Sequence, residues 1–298
     1  MATRVVELAC RNDILVEKKY GMSYDEFAEK HLFANYPVVI GDAGDAWTAK
    51  SKFTPEFFRK NYSDRTVEIA RKTYNLGEYI DWMLTGTEEN PAPYPCTLQI
   101  EQEYPELLPD VLPRFNYALP DRINSKLLPR RFLSGANTLE IFFGGPGALF
   151  PYVHYDYMSL HAYITQLYGQ KEFTVIPPTQ TPYVYPNPDD LWVSQVNDIY
   201  KPDLEKYPLF AKTTPVSFVV GPGETLFIPC GWWHTARSLT PTISVALDCL
   251  NASNWKNFMQ EVDRNMLQRR PKLAGAVHTY LSVVGSVLGM FEKVGVSI

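Results

Sequence analysis

Several features are missing from this chain of 298 residues, and each absence excludes something. Its four cysteines, Cys10, Cys96, Cys230 and Cys249, form no CxxC pair. No disulfide framework is therefore expected, and the expected compartment is reducing: cytoplasmic, or also nuclear in a eukaryote. Nowhere do 18 or more apolar residues run together, so no membrane span or membrane partner is expected. The first twenty residues lack a long apolar stretch and soon become charged, which makes a poor signal peptide. Basic stripes are absent too. With 28 Lys and Arg against 33 Asp and Glu, the net charge is −5, and no nucleic-acid partner is expected. Internal repeats and low-complexity tracts are absent.

What is present is aromatic and proline-rich: 14% aromatics and 24 prolines, which lean towards a β-rich core with many turns. Ser23 followed by acids and by Phe27 and Phe33 predicts a capped helix over 23–33. Residues 37–41 and 66–70 read as strands. Residues 54–62, with Thr-Pro-Glu at the start, and 75–84 read as helices. From 137 onward NTLEIFFGG, YITQLYGQKEFTVIPP, VSFVVGPGETLFIP and TISVALDCL are strand-like runs separated by Gly and Pro turns. No helices fall between them, so an antiparallel barrel is expected rather than a parallel α/β sheet. Residues 254–293 return to helix. The expected organisation is a barrel domain over 1–253 with N-terminal elaboration, then C-terminal helices over 254–298. The second of those helices is more apolar than an exposed helix should be. Two readings share that observation: packing on its own barrel, and a homodimer through these helices.

The chemistry concentrates in three places. VHYDY sets His154 and Asp156 at i and i+2, which on a β-strand face the same side. IPCGWWH adds His234 after an apolar strand and a Gly turn. Two His and one carboxylate make a facial set that leaves metal positions open, as in non-haem Fe(II) oxygenases; a zinc hydrolase accepts the same donors. Lys171, after the Gly169 turn and beside Phe173, Val175 and Ile176, either faces solvent or points into the barrel to meet a carboxylate.

HYD, the GQK turn, FTVIPPTQTPYVYP and VVGPGETLFIPCGWWH together resemble the JmjC family of cupin-like Fe(II)- and 2-oxoglutarate-dependent oxygenases, in particular its protein-hydroxylase branch of asparaginyl-hydroxylase type. The resemblance runs from about 137 to 251, with weaker echoes at 36–47. It implies a mainly β fold, a double-stranded β-helix of jelly-roll type with flanking helices. It implies iron held by His154, Asp156 and His234, and 2-oxoglutarate bound through Lys171, with O2 as the other co-substrate. The implied reaction hydroxylates a C–H bond and releases succinate and CO2.

The chain departs from the family pattern around the co-substrate. Ala162 or Ile164 stands where an Asn is common, Ala246 where an amide or hydroxyl is common, and Pro151 where a hydroxyl precedes HxD. Thr97, Tyr163, Thr165 or Gln166 would then fill in, with Thr97 and Gln166 the chosen co-substrate contacts. For the prime substrate, Tyr157 and Met158 after the ligand and Trp192 in the long 185–198 loop are the candidates. Trp232 and Trp233 read as packing, GPGE at 221–224 as a hairpin turn, and His161 as a structural histidine. The leading expectation is hydroxylation of a protein or peptide side chain. The alternatives are a small-molecule or carrier-bound amino acid hydroxylase, a catalytically silent binding barrel, and a histone demethylase.

Overall fold

A computed structural model describes residues 4–11, 14–133 and 138–293, with residues 4–11 and 14 as backbone alone. The first three residues, Asn137 at the start of one expected strand, and 294–298 at the end of the expected helical element lie outside the described residues.

The strands are β1 Arg4–Arg11, β2 Ile14–Tyr20, β3 Val38–Ile40, β4 Thr66–Ile69, β5 Lys72–Asn75, β6 Cys96–Gln99, β7 Leu139–Gly144, β8 His161–Tyr168, β9 Lys171–Ile176, β10 Val216–Val220, β11 Thr225–Ile228, β12 Trp233–Ser238 and β13 Thr242–Cys249. The α-helices are α1 Tyr24–Phe27, α2 Ala49–Lys52, α3 Pro55–Tyr62, α4 Leu76–Thr85, α5 Ile100–Glu103, α6 Trp255–Arg269 and α7 Pro271–Lys293. Local chemistry places several of these starts. The Ser23 and Thr54 side chains accept from the Glu26 and Phe57 amides, capping α1 and α3. The predicted helix over 23–33 splits into α1 and a π-helical turn over Ala28–Leu32.

One large sheet runs β1-β2-β3-β11-β8-β13-β7-β6, and a small one runs β10-β9-β12. Every pairing within them is antiparallel except β2 with β3. The jelly-roll expectation is met: two mainly antiparallel sheets face each other over a shared interior. The β1–β2 hairpin at the edge was not anticipated.

The large sheet is buried on both faces. Tyr163, Phe227, Ile141, Phe143, Val245 and Leu247 point out beneath the N-terminal helices, into a core with Phe27, Phe58, Tyr79 and Ile80. Ala162, Leu226 and Ile228 point inward against Phe173, Val175, Phe218 and Ala236 of the small sheet. Burial on both sides is why these strands read as near-continuous apolar runs and not as clean alternation.

The C-terminal helices form their own cluster. Trp255, Phe258 and Val262 of α6 meet Leu281, Val284 and Leu288 of α7, together with Met158 and Leu160 beside the barrel. The packing-on-barrel reading holds for that stripe. The opposite face of α7 leaves Leu273, Val283 and Met290 at 49%, 58% and 61% exposure. By length and composition alone α7 is long and apolar enough to cross a membrane, although no uninterrupted apolar run announces it.

Candidate metal and co-substrate site

The two histidines are joined through their backbones. The His154 N–H donates to the His234 carbonyl at 3.0 Å, and the His234 N–H to the His154 carbonyl at 2.6 Å. Their rings stand 4.3 Å apart. His234 lies in β12; His154 lies in an extended segment that pairs through isolated bridges, Leu149 with Arg237 and His154 with His234 and Val193. The expectation that HxD sits on a regular strand therefore needs correcting, because the segment pairs only through isolated bridges and turns away after Asp156. The i, i+2 logic survives, since that stretch is still extended. Asp156 Oδ1 lies 3.9 Å from His234 Nε2, and one donor atom from each of the three residues falls within 4.8 Å of the others.

The donor set fits a divalent cation. His234 Nδ1 lies 3.0 Å from the Trp232 carbonyl; donating there, it keeps the Nε2 lone pair for a ligand. Burial, then the neighbouring His234, holds His154 well below the usual imidazole range, so the ring is neutral. Its buried Nδ1 has no hydrogen-bond partner. Burial pushes the Asp156 carboxyl up, against the pull of His234. A carboxylate and two imidazoles that converge on one point, with the buried His154 Nδ1 unpartnered, are what a metal completes.

The inner end of the same cavity holds Lys171. It is 2% exposed, so the solvent-facing reading is excluded. Its ammonium donates to the Ser244 hydroxyl at 2.9 Å and lies 3.4 Å from the Tyr94 hydroxyl. Both partners are neutral, and burial lowers its pKa to about 7. On β9 and β12, Lys171 pairs with Ser238 and Val175 with His234. The lysine and the histidines are thus offset by four residues, roughly 13 Å of strand, which the imidazoles and the lysine stem shorten from both sides. The cavity between them measures about 220 Å³. That is below the ~300–1,000 Å³ of typical ligand pockets and suits a short dicarboxylate better than a nucleotide cofactor.

Residues 24–248 match the cupin-like domain family. The chain belongs to that family. This cupin-like domain is 27% identical to the arginine-specific demethylase JMJ20 of Arabidopsis thaliana, over 80% of the chain and 59% of that protein. It is 26% identical to the bifunctional arginine demethylase and lysyl-hydroxylase psr-1 of Caenorhabditis elegans, over 85% and 64%. It is 32% identical to the Jumonji C domain-containing protein 5 of Drosophila melanogaster, over 75% and 57%. The chain spans between about a quarter and two thirds of the length of such relatives. The JmjC resemblance stands. These names support demethylase and lysyl-hydroxylase kinship, and none supports the narrower asparaginyl-hydroxylase likeness.

In the cupin-like domain the cavity wall includes Tyr157 and Trp192 beside His154, Asp156, His234 and Lys171. Met158 is not in it. That residue is 2% exposed, left-handed at φ 59°, and turned into the C-terminal helix cluster. Neither Thr97 nor Gln166 reaches the wall. Thr97 stands on the edge strand β6 beside Phe142. Gln166 is fully buried, and its amide donates to the Tyr168 carbonyl at 2.6 Å. Tyr163 donates to the Tyr117 carbonyl, on the other side of the sheet, and Thr165 pairs with Thr225.

The polar contacts come from elsewhere. Ala162, Ile164 and Ala246 do line the wall as apolar positions, but Ser244, two residues before Ala246, supplies the hydroxyl. Tyr152 supplies one next to Pro151. A bulge between Ile243 and Ser244 shifts the β13–β8 register, which defeats counting from one strand to the next. Tyr94 comes from a loop with no periodic signal. Glu140 and Asp248 also line the cavity. Acids at inward positions of buried strands were a signal available in the sequence and not used. Burial, with Asp156 and Glu140 nearby, pushes the Asp248 carboxyl well above the usual range.

Trp232 and Trp233 are packing residues whose indole N–H groups donate to the Asn35 carbonyl and the Thr181 hydroxyl. His161 is structural as expected: fully buried, it accepts from the Cys230 amide at 3.0 Å and bonds the Ser253 hydroxyl at 2.7 Å.

Proposed function

We propose that this chain is an Fe(II)- and 2-oxoglutarate-dependent oxygenase that hydroxylates a C–H bond on a protein side chain. The observation that carries the proposal is one cavity with a His-Asp-His donor set at one end and a buried, neutrally partnered lysine at the other. His154, Asp156 and His234 would hold iron, and Lys171 with Ser244 and Tyr94 would hold the far carboxylate of 2-oxoglutarate. With 2-oxoglutarate and O2 the bound iron supplies an oxidant that inserts a hydroxyl into a C–H bond, while succinate and CO2 leave.

The protein's own part is binding, orientation and exclusion of water. Lys171 meets a carboxylate in a dry wall, where an ion pair is worth more than at the surface. Phe142, Phe150, Phe173, Ile164 and Ala246 remove water from the space between. Trp192, packed edge-on to Tyr152 and Tyr157, narrows the mouth. The Glu140 carboxylate in the wall favours a basic side chain as the prime substrate, in keeping with the arginine and lysine named for two of the relatives.

A second reading, a hydroxylase of a free or carrier-bound amino acid, draws support from the small cavity. One experiment separates them. The iron-loaded protein, 2-oxoglutarate and O2 are supplied with lysine- and arginine-containing peptides or with the free amino acids, and mass and succinate are followed. A 16 Da gain on peptide supports the proposal, whereas a gain on the free amino acid alone supports the second reading. Succinate release with neither modified contradicts both assignments of substrate. The exposed face of α7 supports a homodimer through the C-terminal helices.

A further inference from the structure

Asp156 is the ligand that the barrel's own hydrogen bonds hold least. His154 and His234 share a backbone rung, and the Tyr155 N–H donates to the Trp192 carbonyl at 3.0 Å. Beyond Asp156 the ladder ends. The chain makes a single 3-10 turn over Tyr157–Ser159, in which Met158 at φ 59° and Ser159 at φ 53° are both left-handed. Residues with a Cβ resist that conformation, so a neighbouring element has to hold it.

The neighbour is α6 with its approach. The Asn254 side-chain amide donates to the Ser159 carbonyl at 3.1 Å, and the Asn265 amide reaches the Met158 sulfur at 3.7 Å. Glu261, 8% exposed, accepts on one oxygen from the Tyr155 hydroxyl at 2.9 Å and from the Ser159 hydroxyl at 3.2 Å. Arg264 holds the other oxygen at 3.2 Å. One carboxylate oxygen therefore ties the residue just before the ligand to the residue three after it.

We infer that Glu261 is a positioning residue for the metal site: it fixes the turn that aims the Asp156 carboxylate, and α6 is thereby part of the site's frame. The inference rests on the metal-binding reading above. Groups next to metal ligands commonly change affinity by about 10–100-fold when removed.

The test is Co(II) titration of the full chain, followed by its visible d–d spectrum, with Asp156→Ala as the reference for a lost ligand. Tyr155→Phe and Glu261→Met are expected to weaken Co(II) binding about 10–100-fold and to alter the band, with melting temperatures of the metal-free proteins near wild type. Glu261→Gln keeps an acceptor oxygen towards Tyr155 and is expected to stay close to wild type. If Glu261→Met does not fold, Tyr155→Phe decides alone. Wild-type affinity and spectrum in Tyr155→Phe, or a lowered melting temperature with an unchanged spectrum, would overturn the inference. A wild-type protein that binds no Co(II) would overturn the metal reading beneath it.

Discussion

At the inner end of the cavity Lys171 and Ser244 stand inside regular strands, β9 and β13, on facing sheets. At the outer end His154 and Asp156 stand on backbone that pairs through isolated bridges and then turns left-handed. The inner end is held by ladders on both sides; the outer end borrows rigidity from β12, from the 185–198 loop and from α6. The difference teaches where each kind of chemistry is placed. A charge that only has to bind a carboxylate can ride on the rigid sheet. A metal ligand that must converge with two others on one point needs a shaped segment and outside support.

The two ends can be separated experimentally. The largest effect is expected from His234→Ala, which removes a ligand and half of the backbone-joined histidine pair's donor atoms. Fe(II) or Co(II) binding should fall below detection by equilibrium dialysis, whatever the 2-oxoglutarate concentration. Retained stoichiometric metal would break the account of the outer end.

Lys171→Ala should do the reverse: metal binding unchanged, but 2-oxoglutarate affinity down by about 10–100-fold, the scale of a charge-assisted hydrogen bond. The same end carries the pH dependence. The Lys171 pKa of about 7 is depressed from the usual amine value. The ammonium that would bind the carboxylate is present below pH 7 and is lost as pH rises through it. Binding 2-oxoglutarate above pH 7 must therefore take up a proton, and the apparent affinity should weaken there, by up to about tenfold per pH unit. Calorimetry in two buffers of different ionisation enthalpy would measure that uptake. The loss of affinity should be absent in Lys171→Ala.

Ser244→Ala should have a smaller effect, a several-fold loss in 2-oxoglutarate affinity, corresponding to about 1 kcal/mol for one neutral hydrogen-bond partner. The smallest effect on the site should come from the far face of α7. Val283→Glu with Met290→Glu should convert a dimer to a monomer in light scattering and leave Co(II) affinity intact. A wild-type protein that is monomeric at working concentration would contradict the dimer.

Much of the barrel was legible in the sequence because its strands are apolar runs cut by Gly and Pro. β3, β8, β9, β11 and β13 all fall where those runs fall. The clustering of His154, Asp156 and His234 was legible because an HxD stretch and a histidine after a Gly turn remain readable even where no regular strand forms. The contacts of the inner end were not. Ser244 was hidden by the bulge beside it, and Tyr94 by an irregular loop. Met158 was misplaced for a related reason: the turn after Asp156 is left-handed, so the alternation that would have pointed it into the cavity does not continue. Gln166 shares the parity of Ala162 and Ile164, yet its amide turns back to the Tyr168 carbonyl at the end of β8.

The most direct test of the two-ended cavity is to titrate 2-oxoglutarate into the anaerobic Fe(II)-loaded protein and follow the visible metal-to-ligand charge-transfer band, with His154→Ala and Lys171→Ala as controls. A band that saturates in the wild type, vanishes in His154→Ala and needs far more 2-oxoglutarate in Lys171→Ala is the predicted result. No band at any concentration, in protein that binds Fe(II), would contradict the account and leave a barrel that binds without turning over.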